Sequence, residues 1–141
     1  MKTDLESYYD SYAKTYDLKR SSRQFKKLNQ TQLEFLRFCT DGSQKLLEVG
    51  CGTGEILQYF PKATGIDFSA GMVARAKEKG LKVKQADATN LPFPDKSFDF
   101  AYSFKVLAHV PNYQKMLSEM AIHDPDAFAA VVAQARQALA S

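Results

Sequence analysis

Residues 48–55 read Glu-Val-Gly-Cys-Gly-Thr-Gly-Glu, with three glycines at alternate positions directly after a short apolar run. Glycines so spaced permit a tight turn and let a ligand approach bare backbone where a helix begins. A dinucleotide fingerprint would place its third glycine three residues after the second, whereas Gly54 follows Gly52 by two. The acid Glu48 opens the motif, and Cys51 is a spacer that nothing marks as a nucleophile. The same glycines would suit a plain strand-to-helix turn. Two further acids sharpen the reading. Asp67 closes a second apolar run nineteen residues after Glu48, and Asp87 closes a third. A carboxylate at the end of a strand can accept both hydroxyls of a ribose, although alone it could equally cap the next helix. Three successive strand ends with acids mark one edge, the carboxyl edge where open α/β sheets bind ligands. His109, one helical turn past a fourth apolar run, is the candidate general base, against the structural role more usual for a lone histidine.

The elements that must position these groups follow from changes of period along the chain. Leu5, Tyr8, Tyr9, Tyr12 and Tyr16 recur at steps of three and four, which predicts a helix with an aromatic stripe. Residues 22–39 predict a second helix with Phe25, Leu28, Phe35 and Leu36 on one face, stopped by Thr40-Asp41-Gly42-Ser43. Strands are expected at 45–49, 63–67, 82–86 and 98–104. Helices are expected over 55–60 and 69–79, with Ser69 as N-cap and Gly80 as stop. The two prolines of LPFPDKS forbid a full helix between the third and fourth strands. Residues 112–120 predict another helix, with Met116, Leu117 and Met120 facing inward. Asp124 and Pro125 then start an alanine-rich terminal helix. Alternating strands and helices imply parallel pairing through right-handed crossovers, so the expected fold is a four-stranded α/β sandwich.

Composition excludes more than it names. The 141 residues are 45% apolar, enough for one ordinary domain with a core. A net charge of +3 is too mild to argue for nucleic acid or a membrane surface. No apolar run approaches the ~20 residues that span a bilayer. Asp4 and Glu6 stand where a secretory signal would need an apolar core, which predicts a cytoplasmic protein. Cys39 and Cys51 make neither a disulfide framework nor a metal cluster.

The runs EVGCGTGE, GIDFSAGMVARAK and QADATNLPFPDKSFDFAYSFKVLAHV together resemble the class I S-adenosylmethionine-dependent methyltransferases. The likeness is greatest to the type 11 small-molecule group that includes quinone-biosynthesis enzymes, and covers about residues 5–120. It implies a Rossmann-like three-layer sandwich with strand order 3-2-1-4. It divides the single domain into an N-terminal lid segment (1–40), a cofactor-binding half (44–120) and an unmatched helix (121–141). By that resemblance Gly50, Cys51, Gly52 and Gly54 border the amino-acid portion of S-adenosylmethionine, with Glu48 beneath it. Asp67 would hold the ribose hydroxyls, while Phe68 and Met72 would flank the adenine. Asp87 would accept from the adenine amino group, with backbone contact from Ala88. Ser103 and Phe104 would lie near the methionine portion, and Tyr8 and Tyr16 resemble the lid, with plain core packing as the alternative. The partner implied is a small-molecule methyl acceptor. The stretch Ser103-Phe104-Lys105 is not the Asn/Asp-Pro-Pro-Tyr of enzymes that methylate nucleic-acid amino groups.

The chain departs from that family after Ser118-Glu119-Met120-Ala121, where a fifth strand would be expected. The alanine-rich tail suggests a truncated or chimeric chain, and the alternative function is a fragment that folds and binds cofactor without turnover. It leaves Phe98, Phe100, Tyr102 and Phe104 on an edge strand, and a homodimer through that edge is expected.

Overall fold

The computed structural model describes residues 3–106 and 109–123. Three helices precede the sheet: α1 (Asp4–Tyr12), α2 (Tyr16–Lys19) and α3 (Arg23–Cys39). The continuous aromatic helix expected at the N-terminus is therefore broken, with a turn between Tyr12 and Tyr16. Thr3 and Ser22 cap α1 and α3, their hydroxyls accepting from Glu6 N at 3.1 Å and Phe25 N at 3.4 Å. The sheet comprises β1 (Leu46–Val49), β2 (Thr64–Asp67), β3 (Val83–Gln85) and β4 (Phe100–Tyr102), all parallel in the order β3-β2-β1-β4. Every residue of β1 and β2 is buried, as befits central strands covered on both faces.

Helix α4 (Ala70–Glu78) begins at Ser69, whose hydroxyl accepts from Met72 N at 3.1 Å. It ends with Gly80 N donating to Lys77 O and Leu81 N donating to Ala76 O, a paired closure that Gly80 permits at φ +77°. The helix expected over 55–60 is instead a single 3-10 turn, Leu57–Tyr59, cut short before Pro61. Helix α5 (Tyr113–His123) buries Met116 and Met120, while Leu117 is only half-buried. The terminal helix that Asp124 and Pro125 were expected to begin lies outside the described residues.

Two apolar layers sandwich the sheet. Leu33 and Leu36 of α3 cover Leu46, Ile56, Leu57, Ala63 and Tyr102 on one face. Met116 and Met120 of α5 join Leu91 over Leu47, Val49 and Ile66 on the other. The face expected of α3 needs correction: Leu28 and Phe35 are exposed, and the buried stripe is Gln32, Leu33 and Leu36. Polar Gln32 is turned inward on the face of the helix that, with Asn29, borders a cleft. The aromatic side chains around β4 pack into both layers, Phe100, Tyr102 and Phe104 on the α3 face and Phe98 on the other. Tyr102 is thereby buried and the three phenylalanines partly buried, so this edge exposes less apolar surface than expected.

Helices α1 and α2 are tied to the sheet unit by two carboxylates. Asp10 accepts from Ser69 Oγ at 2.5 Å and from Gly71 N at 2.8 Å, at the start of α4. Negative charge there also meets the favourable end of the helix dipole. Asp17 accepts from Thr53 Oγ1 at 2.5 Å and pairs with Lys79 Nζ at 2.8 Å. Burial opposes ionisation of Asp17, but the bonds from Lys79 and Thr53 outweigh it and hold its pKa below the ordinary value. The approach of α1 to α4 requires Gly71, because a Cβ there would stand 2.9 Å from both Cα and O of Asp10. Gly71→Ala is expected to push α1 off α4 and destabilise the chain by about 1–3 kcal/mol. Urea unfolding measures that loss, and faster protease cleavage within residues 13–22 would localise it.

Candidate functional site

The carboxyl ends of β1 and β2 meet at a compact junction. Chain direction reverses after Val49, where Gly50 at φ +77° lets two successive N–H groups, its own and that of Cys51, donate to Ile66 O at 2.8 and 2.9 Å. The Gly52 N–H then donates to Asp67 Oδ2 at 2.9 Å, while Asp67 Oδ1 accepts from Ser69 N at 2.9 Å. Backbone donors thus fix both oxygens of a buried carboxylate and leave lone pairs for a ligand. Burial still pushes the Asp67 carboxyl upward against those bonds.

Around this junction runs a cleft with two lobes that share Gly50, Asp67, Phe68, Val106 and His109. The first lobe, about 240 Å³, has Glu48, Cys51 and Gly52 on its floor and Tyr9, Tyr12 and Tyr16 as its roof. Arg20, Asn29, Gln32, Glu55, Met72, Phe104 and Lys105 complete its lining. The second, about 670 Å³, is more apolar and runs along Gln85, Ala86, Asp87, Ala88 and Thr89. Asp87 Oδ1 already accepts from Thr89 N and Oγ1 at 2.7 and 2.8 Å.

Most residues singled out from sequence line one or both lobes. Three do not. Tyr8 is 59% exposed, and the inward-facing members of the aromatic stripe are Tyr9, Tyr12 and Tyr16. Gly54 lies behind the loop, where a Cβ would collide with Leu81. Ser103 clasps β1, its hydroxyl donating to Val49 O at 2.8 Å. His109 sits where the lobes join, its ring edge-on to Tyr9 at 5.7 Å. Cys51 is buried, and burial followed by the charges of Glu48 and Asp67 pushes its thiol well up, consistent with a spacer.

The sequence reading missed several lining residues, Arg20, Lys105, Asn29 and Gln32 among them, and one partner. Arg20 bonds Glu55 at 3.0 Å and stacks on both Tyr16 and Phe25. Lys105 adopts φ +60°, uncommon for a non-glycine residue, and faces the Phe25 ring at 5.8 Å. Asn29 and Gln32 were hidden within an apparently amphipathic helix, where position alone gave no reason to separate them from surface amides. The partner is Tyr102, 5% exposed, whose hydroxyl donates to Glu48 Oε2 at 3.2 Å. Glu48 and Tyr102 are register partners across β1 and β4, a relation invisible until strand pairing is known. The signal that existed was alternation, since Phe100 and Tyr102 share a face of their strand.

The donor and acceptor set fits S-adenosylmethionine. Asp67 stands between the lobes, an apolar lobe follows β3, and the polar lobe ends in Glu48 and the buried Oδ1 of Asn29, which has no hydrogen-bond partner among the described residues. An acceptor without a donor at that end matches a ligand carrying an ammonium group. Among the described residues no group of His, Cys, Asp and Glu is placed to hold a metal ion, and no helix is long and apolar enough to cross a membrane.

The parallel sheet and the cleft at its carboxyl edge define a Rossmann-like cofactor-binding domain. Residues 47–122 match the family described as a methyltransferase domain, and the chain belongs to that family. It is 42% identical over 88 residues to phosphatidylethanolamine N-methyltransferase of Cereibacter sphaeroides, covering 55% of this chain and 43% of that protein. It is 41% identical over 88 residues to demethylmenaquinone methyltransferase of Staphylococcus aureus, covering 54% of this chain and 36% of that protein. A SAM-dependent methyltransferase of Thermotoga maritima shares the fold, with TM-score 0.73 and 23% identity over 85% of this chain and 56% of that one. The chain spans about half the length of the curated relatives it matches, or less.

Glu48 is the electrostatic extreme of the site. Burial raises its pKa from 4.5 to about 8, against the bond from Tyr102 and with help from Asp67 and Glu55. Between those values the unfolded chain ionises at this position while the folded one keeps its proton, so rising pH favours unfolding. Glu48→Gln, an isostere that cannot ionise, is therefore expected to stabilise the ligand-free protein by roughly 2–4 kcal/mol at pH 8. At pH 4, where both states hold the proton, the two proteins should unfold at nearly the same urea concentration.

Proposed function

We propose that the chain binds S-adenosylmethionine across the carboxyl ends of β1, β2 and β3 and transfers its methyl group to a small-molecule acceptor. The observation that carries this reading is Asp67, fixed by the Gly52 and Ser69 N–H groups at the junction of a polar and an apolar lobe. In this reading Asp67 accepts the ribose hydroxyls, and Asp87, Ala88 and Phe68 bound the adenine lobe. Glu48, Asn29 and the glycine loop receive the amino-acid end.

When bound, S-adenosylmethionine supplies a methyl group already activated by its sulfonium, so transfer is an in-line displacement. The protein's part is then to align and to exclude water. Tyr9, Tyr12 and Tyr16 roof the polar lobe, held down by Asp10 and Asp17. Phe104, Lys105 and His109 also line this lobe, and in this reading the acceptor enters beside them. In this reading His109, which lines both lobes, takes a proton from acceptors that must lose one. The relatives' names include a phosphatidylethanolamine and a demethylmenaquinone enzyme, so amines and quinols are the acceptors to try first.

Calorimetric titration with S-adenosylhomocysteine tests the cofactor reading, with binding expected and NAD inert. Asp67→Ala should weaken that binding by about 1.5–3 kcal/mol, the range for a hydrogen bond to a charged group. Unchanged affinity in the variant rejects the ribose assignment. Turnover of a panel of quinols, phenols and amines tests transfer: His109→Asn should slow acceptors that lose a proton while leaving homocysteine-ligand affinity within about twofold. Binding without turnover of any acceptor would make the chain a cofactor-binding unit only.

A further inference from the structure

The pairing of Glu48 with Tyr102 goes beyond holding a strand end, and it rests on the cofactor reading above. Glu48 is 4% exposed at the floor of the polar lobe, and among the described residues no cation stands within 4 Å of its carboxyl group. The groups facing it come from every surrounding element: Tyr102 from β4, Asp67 from β2, Cys51 and Glu55 from the loop after β1. Across the lobe, Arg20 is engaged by Glu55, while Lys105 faces Phe25. The nearest charges are therefore acidic, and the hydrogen bonds that offset them come from neutral donors, the Tyr102 phenol and the Leu57 backbone. A carboxylate in that setting lacks the counter-charge that burial demands.

We propose that Tyr102 is a positioning residue for Glu48, and that this buried pair holds a proton which leaves when the cofactor's α-ammonium group docks. The balance is simple: the Glu48 O–H bond breaks, the proton passes to buffer, and the resulting carboxylate accepts an N–H from the ammonium. Nothing is oxidised or reduced. The buried Oδ1 of Asn29 provides a second acceptor in the same lobe. Tyr102 keeps donating to Glu48 Oε2 throughout, so it favours the ionised form and aims the other oxygen at the lobe. With ionisation centred at about 8, cofactor affinity falls about tenfold for each pH unit below that point, and about 50-fold between pH 8 and pH 6.

The test is calorimetry of the full chain with S-adenosylhomocysteine in buffers of different ionisation enthalpy, from pH 6 to pH 8. Proton release should fall from about one per ligand at pH 6 to about one half at pH 8. Adenosine, which has no ammonium, should bind without releasing a proton. Glu48→Gln should abolish the release, whereas Tyr102→Phe should keep it and move the midpoint of the affinity profile up by about one pH unit. A purely structural tyrosine would leave that midpoint unmoved, and such a result overturns its positioning role. Binding of the homocysteine ligand with no proton exchange overturns the inference while leaving the cofactor reading intact. Release that survives in Glu48→Gln assigns the proton elsewhere and also overturns it. Absence of any binding overturns both.

Discussion

One carbonyl oxygen, that of Ile66, accepts two successive N–H groups as the chain leaves β1, and the site is built outward from that junction. The two bonds force Gly50 into a left-handed turn, and Val106 occupies the space where a Cβ would point. They also bring the loop so close to β2 that Gly65 must stay bare beside the Cys51 sulfur, 2.7 Å from where its Cβ would be. Once the loop lies there, the Gly52 N–H has a partner in Asp67, and the polar and apolar lobes meet at that carboxylate. A parallel sheet alone would leave this edge open. Strand-to-loop closure turns it into a cleft with fixed donors and acceptors.

The N-terminal helices illustrate a second use of carboxylates. None of the residues of α1 or α2 is buried, so apolar packing alone would hold them weakly. Asp10 and Asp17 compensate by bonding to the start of α4, to Thr53 and to Lys79, and Gly71 lets two backbones approach. The tyrosine roof is thus attached by polar contacts over a cleft, an arrangement suited to opening at modest cost. Acids serve three distinct purposes here. Asp10 and Asp17 fasten, Asp67 is held ready by backbone donors, and Glu48 is kept against its solvation preference. The last is destabilising for the ligand-free fold, because burial opposes its ionisation.

Much of this was legible in the chain. The parallel pairing followed from alternating apolar runs and capped helices, because Ser69, Gly80 and the proline-rich 91–97 stretch each act through local backbone chemistry. The glycine spacing and the acids Glu48, Asp67 and Asp87 were readable for the same reason, since strand ends share one edge whatever lies between them. The errors also had physical causes. A stripe of Phe25, Leu28, Phe35 and Leu36 looked like the inner face of α3, yet the helix turns Gln32 toward the cleft and leaves Phe35 half in water. Helical periodicity tells which residues share a face and not which face meets the sheet.

Sequence by itself determined the parallel pairing, the Ser69 cap, the Gly80 stop and the edge on which a ligand would be met, the strand order being implied by the family resemblance. Those features depend on interactions within a few residues, or on handedness rules that act on any alternating chain. Tertiary structure alone decided which side chains converge there. Tyr9 and Tyr12 face inward while Tyr8 does not, because Asp10 sets the rotation of α1 on α4. Tyr102 reaches Glu48 because β1 and β4 pair in one particular register, across 54 residues of intervening chain. Register and helix rotation are settled by long-range packing, and a shift of one residue would have turned either side chain to the opposite face of the sheet.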